Sequence, residues 1–190
     1  MRKFMGILCL FGCCVAKEFS QDSDYLIGVH ARVGASMGVG IEFGMPIIKS
    51  GVVEWRNFIG AESFGMKLAS TQYDTAALLF SDKMTLSYLT GSSVAAAIGI
   101  SYFRPYLFLS GGFGLTGGKY NSFGTSPYYG EVSAGIGHEF ITKNGHTFFF
   151  EFGGGAMFID KVVANQTLTT QGTTKVLVGY RFYYPAKIKE

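Results

Sequence analysis

The sequence predicts a transmembrane β-barrel, and three observations lead there. First, the stretch 27–45 alternates: odd positions from Ile27 to Phe43 are all apolar, while even positions from Gly28 to Gly44 are small or polar. Period-2 alternation belongs to extended chain, because a helix would scatter both sets around its circumference. Second, charged residues make up only 15%, and there are 27 glycines among 190 residues, a poor composition for a water-facing surface. Third, no run of 18 apolar residues follows the N-terminus, so a helical span is not encoded. A strand-based span must close on itself, since lipid offers an open strand edge no partners.

The N-terminal residues come first. Met1 to Lys3 form a short segment made basic by Arg2 and Lys3, Phe4 to Cys13 are apolar, and Cys14-Val15-Ala16 places small residues where a signal peptidase reads them. Residues 1–16 are therefore expected to be a cleaved export signal, followed by a polar lead-in, 17–24. Leu10-Phe11-Gly12-Cys13 also resembles a lipoprotein signal with Cys13 as the lipidated residue, but bulky Phe11 ranks that reading second. All three cysteines fall in this segment, which leaves the mature chain neither a disulfide framework nor a cysteine metal site. Removing Arg2 and Lys3 lowers the formal charge from +3 to +1, and no argument for a nucleic-acid partner survives.

From residue 25 the alternation divides into eight expected strands. The first runs from Tyr25 to Met45-Pro46, where proline ends it. The second covers 52–69 and places Phe58, Gly60, Glu62 and Phe64 on one face. A polar turn, 70–75, leads to a third over 76–90, within which Asp82-Lys83 is a second conceivable turn. The fourth, 94–103, and fifth, 106–115, are separated by Arg104-Pro105. A Gly/Ser/Asn/Thr loop, 116–127, precedes the sixth strand, 128–140. Lys143-Asn144-Gly145 carries a hairpin dipeptide before the seventh, 147–158. The longest loop, 159–173, leads to the eighth, 175–184, and a tail, 185–190. Ten strands would need hairpins at 34–36 and 82–83. The parity runs unbroken through both places, which disfavours that count because a two-residue hairpin would shift it, although a three-residue turn would preserve it.

Alternation alone does not say which face meets lipid, since a soluble barrel alternates too. The polar set is mostly Gly, Ser and Ala with isolated charges, too few to solvate an exterior. Aromatic residues also gather near strand ends, with Trp55, Tyr102, Phe140, Phe148, Tyr180, Tyr183 and Tyr184 expected in interfacial girdles. The apolar set therefore faces lipid. With the C-terminus on the periplasmic side, loops 46–51, 91–93, 116–127 and 159–173 point outward, and 70–75, 104–105 and 141–146 point inward.

The export signal, the eight alternating strands and the glycine-rich lumen face resemble the small outer-membrane β-barrels of the opacity-like and OmpA-OmpX superfamily, with OmpW-type barrels close by. The likeness covers nearly all of 25–184. Val176, Val178, Tyr180 and Phe182 resemble that family's C-terminal assembly strand, which ordinarily ends on an aromatic residue, whereas this chain continues through Pro185 to Glu190. The resemblance implies a bacterial outer-membrane location, with lipid and the barrel-assembly machinery as partners.

In this arrangement the lumen receives a charge network of Arg32, Glu42, Glu62, Glu131, Glu139, Glu151, Lys175 and Arg181, with His30 beside it. Charges held in a narrow barrel must be paired, so structural pairing outweighs an ion path. No catalytic, cofactor-binding or metal-binding residue is assigned. His138 and Glu139 point to opposite faces, and the His-x-Ser element of acyl-hydrolase barrels is absent. Residues 112–117 fit G-x-G-x-x-G literally, yet they precede a loop where the dinucleotide motif requires a helix. The expected function is a non-enzymatic surface antigen, adhesin-like or envelope-structural barrel, with loops 116–127 and 159–173 meeting a host or environmental ligand. Passage of small hydrophobic or ionic solutes is the alternative, and lipid acyl hydrolysis a remote one.

Overall fold

The computed structural model describes residues 25–34, 36–48, 52–68, 71–87, 90–91, 99–116, 128–142, 144–163 and 166–184. Signal segment 1–16 with Cys13, lead-in 17–24, loop residues 117–127 and tail 185–190 lie outside them. Eight long strands form the wall: β1 (Tyr25–Gly34), β2 (Ser36–Pro46), β3 (Val53–Leu68), β4 (Thr71–Ser87), β6 (Ile100–Thr116), β7 (Tyr128–Thr142), β8 (His146–Val163) and β9 (Gln166–Tyr184). A two-residue strand, β5 (Thr90–Gly91), pairs with the start of β6. Sequential neighbours pair antiparallel, β4 pairs with β6, and β1 pairs with β9 from Tyr25↔Tyr184 to Gly34↔Lys175. The result is a closed eight-stranded up-and-down barrel, as the alternation predicts.

The strand count agrees with the expectation, but the boundaries differ in two offsetting ways. The stretch 27–45 is two strands that pair with each other. Their register, Arg32↔Gly38 through Leu26↔Gly44, joins residues of equal parity. A hairpin centred on one residue keeps the same parity facing inward on both arms, so the alternation passes through it without a visible break. Gly34 turns the chain at φ +135°, a conformation glycine adopts far more readily than other residues. Asp82 and Lys83, by contrast, lie inside β4 and pair with Asn57 and Arg56.

The second difference is at Arg104-Pro105, expected as a break and found inside β6. Pro105 pairs with His138 of β7, while β4 ends opposite Tyr106 and β5 begins opposite Phe103. Proline thus sits between two partners on an edge, where it is tolerated. The expected loop 159–173 is instead strand, with β8 reaching Val163 and β9 starting at Gln166. These corrections exchange ends as well. Connections near 46–51 and 91–93 fall at the end that holds Tyr25 and Tyr184, and the connection at 69–70 falls at the opposite end with those at 35, 117–127 and 164–165.

Following paired residues around the wall gives the stagger. His146 leads through Phe182, Ile27, Phe43, Asn57, Asp82, Gly111 and Val132 back to β8 at Ala156, ten residues along. Such a stagger requires strands tilted by about 35–45° and, with eight strands, an interior just wide enough for side chains. Inward glycines provide the room those side chains need. A Cβ on Gly135 or Gly153 would meet the Phe108 ring at 2.7 Å, and one on Gly179 would meet Phe149 at 2.6 Å. These three lumen glycines are therefore seats for aromatic rings.

Candidate functional site

The lumen gathers nearly all of the described charge. Because only alternate residues on each strand point inward, Glu42 (β2), Glu54 and Arg56 (β3), Lys83 (β4), Arg104 (β6), Glu139 (β7), Glu151 (β8) and Arg181 (β9) meet in one cluster. It lies toward the end that carries Tyr25 and Tyr184. Arg181 joins three carboxylates, donating from Nε to Glu42 at 2.8 Å, from Nη1 to Glu139 at 2.6 Å and from Nη2 to Glu151 at 2.9 Å. Its guanidinium also lies 3.3 Å from the Phe149 ring centroid. Lys83 donates to both Glu151 oxygens at 2.8 Å. Arg56 bridges Glu54 and Glu139 at 2.5 and 3.0 Å, and Arg104 bridges Glu54 at 2.8 Å and Glu139. The Tyr106 hydroxyl donates to Glu151 at 2.7 Å and accepts from Arg181 at 2.9 Å.

A second cluster lies toward the other end. Arg32 bridges Glu62 at 2.9 Å and Glu131 at 3.0 Å, and Lys175 reaches Glu131 at 2.8 Å. Ser36 and Tyr129 complete the Glu62 carboxylate. An aromatic layer separates the two clusters. The His30 ring stacks on Phe58 at 4.4 Å and meets the Phe149 ring at 6.2 Å, and its nitrogens have no hydrogen-bond partner among the described residues. Phe108 lies between the clusters, with Lys83 5.4 Å and Lys175 6.0 Å from its ring.

The first cluster holds four acids and four bases, and the second holds two of each. Each of the six buried carboxylates is bonded to at least one cation, so none is left free to serve as a general base. The structure places all eight charges expected in the lumen inside the barrel but divides them, with Glu42, Glu139, Glu151 and Arg181 in the first cluster and Arg32, Glu62, Glu131 and Lys175 in the second. It adds Glu54, Arg56, Lys83 and Arg104, of which Glu54 and Arg56 share inward parity with Glu62 on β3. Arg104 was hidden because its segment reads as a break. Tyr183, expected in an interfacial girdle, instead sends its hydroxyl inward to Glu139 at 3.1 Å. Its parity, shared with Lys175 and Arg181, carried that signal. Trp55, Phe140, Phe148, Tyr180 and Tyr184 lie on the outward face near the end that carries the strand termini, whereas the Tyr102 side chain lies outside the described set.

The remaining imidazoles are outside the barrel. His138 stacks between Phe103 at 5.2 Å and Phe150 at 4.9 Å, and His146 bonds Tyr180. Among the described residues no histidine has a serine and a carboxylate as partners, and no group of His, Cys, Asp or Glu could hold a metal ion. Residues 112–116 of the G-x-G-x-x-G match lie within β6, so no helix start exists there to receive a phosphate.

On the outside, exposed side chains such as Ile27, Val39, Leu107, Leu109 and Phe152 make a predominantly apolar surface, the inverse of a soluble barrel. Neither a family model nor a curated protein matches this chain. Solved structures do. The N-terminal β-barrel domain of Pseudomonas aeruginosa OprF aligns over 86% of this chain and 98% of its own, at 14% identity and TM-score 0.50. The fold is that of a small outer-membrane β-barrel. A major outer membrane protein of Thermus thermophilus aligns over 85% and 99% (9% identity, TM-score 0.48), and Neisserial surface protein A over 87% and 99% (13% identity, TM-score 0.44).

Proposed function

We propose that this protein is a non-enzymatic, sealed barrel of the bacterial outer membrane, structural in its wall and adhesive or antigenic at its outer end. The observation that carries the reading is the filled lumen: two charge-neutral ion-pair clusters with an aromatic layer of His30, Phe58 and Phe108 between them. A solute crossing it would have to break several buried ion pairs, each part of which would then be left uncompensated. With the strand termini toward the periplasm, the connections at 117–127 and 164–165 face outward beside the long β8–β9 hairpin. Contact with a host or environmental ligand is placed there, because recognition concentrates on connections held by a rigid scaffold.

Planar-bilayer recording tests the sealed lumen. Insertion should leave the bilayer electrically silent, and discrete openings would favour the solute-passage alternative instead. Outer-membrane fractionation with heat-modifiable gel migration tests the location and the barrel together.

A further inference from the structure

Of the thirteen Asp, Glu, Lys and Arg residues whose side chains are described, twelve point into the lumen and one, Asp82, points outward. Asp82 is not at a rim. On the row of paired residues that climbs from His146 to Ala156 it stands five strands from the first and three from the second. Exposed apolar side chains surround it: Ile59 on β3, Leu78 and Met84 on β4, Leu109 and Phe113 on β6. An ionisable residue facing hydrocarbon is disfavoured and marks a functional position unless something pairs with it.

Its neighbours satisfy it only in part. Asn57, directly across on β3, donates from Nδ2 to Asp82 Oδ1, and the Trp55 side chain is a second hydrogen-bonding neighbour. A carboxylate offers about four acceptor sites, so capacity remains. The second amide hydrogen of Asn57 has equivalent spare capacity as a donor. On the other flank, the residue paired with Asp82 is Gly111, where a Cβ would find nothing nearer than a backbone oxygen at 4.0 Å. The absent side chain leaves a notch at the height of the carboxylate. A further apolar groove of about 380 Å³, lined by Ile27, Ile41, Phe43 and Ile59, ends at Asn57.

We propose that Asn57 and Asp82 form a self-pairing patch through which two copies of this barrel associate side by side within the bilayer. The patch is self-complementary: it has one donor and one acceptor side by side. A two-fold axis between them therefore lets each Asn57 donate to the other copy's carboxylate, the reciprocal pattern of an isologous interface. Lipid tails have no donor to offer the carboxylate, whereas a second copy does. The Gly111 notch admits the close approach that such a bond requires.

The test is subunit counting of labelled, processed protein refolded into phosphatidylcholine vesicles, over decreasing protein-to-lipid ratios. Wild-type protein should populate dimers. The double variant Asn57→Leu/Asp82→Leu, which only makes the wall more apolar, should weaken dimerisation at least tenfold while keeping heat-modifiable migration. Asp82→Asn keeps donor and acceptor and should retain the dimer. The proposal is overturned if wild-type protein stays monomeric throughout, or if the double-Leu variant dimerises as tightly as wild type.

Discussion

Arg181 illustrates how single residues hold this interior. It is fully buried and bonds Glu42, Glu139 and Glu151 at once. A buried ion pair is weak evidence of net stabilisation, yet deleting one member strands the others. Arg181→Met should therefore cost about 3–5 kcal/mol, measured as a shift in the denaturant midpoint of the barrel refolded in vesicles. Adding Glu42→Gln should recover part of that loss, because one uncompensated carboxylate disappears. At this scale the sequence was largely legible. Parity alone assigns Arg32, Glu62, Glu131 and Lys175 to the lumen, and would have assigned Glu54, Arg56 and Tyr183 had it been followed to every strand end. Which acid meets which base was not legible, since partners such as Arg32 and Glu131 are 99 positions apart and meet only through barrel closure.

Among the elements, the hairpin of β1 and β2 marks the boundary of what alternation can reveal. Pairing of equal parities, as in Arg32↔Gly38, makes a turn invisible to a period-2 pattern. The hairpin near Asn144-Gly145 also pairs equal parities, as in Ile141↔Thr147, yet its turn residues announce it. Gly34 and Ser36 gave a weaker cue. The same logic yields a contrast between two insertions. One extra residue between Gly40 and Ile41 would drive Glu42 toward lipid and apolar neighbours into the lumen, so heat-modifiable migration should be lost. The same insertion at Ala35, in the connection, should leave it intact. The outer part of the β8–β9 hairpin was read as loop for a different reason: Thr167, Thr170 and Gln171 resemble loop composition, and their pairing with Val162, Phe158 and Met157 rests on the backbone ladder.

For the molecule as a whole, composition and architecture account for each other. A chain with 15% charged residues would make a poor soluble surface. Here six described acids and six described bases are sealed inside, so the described lumen charges balance. One feature of the wall reaches into biogenesis. The ladder that shuts the cylinder joins β1 to β9, running from Tyr25↔Tyr184 to Gly34↔Lys175. A polypeptide stopped before β9 would leave β1 and β8 as two bare margins, each with unpaired amides that acyl chains cannot satisfy. Truncation after Val163 should thus abolish the protease-resistant species altogether rather than yield a smaller one, as limited proteolysis in vesicles would show. Delivery into the bilayer must then wait for the final strand, and an export route that releases the chain piecemeal would leave it stalled at the surface.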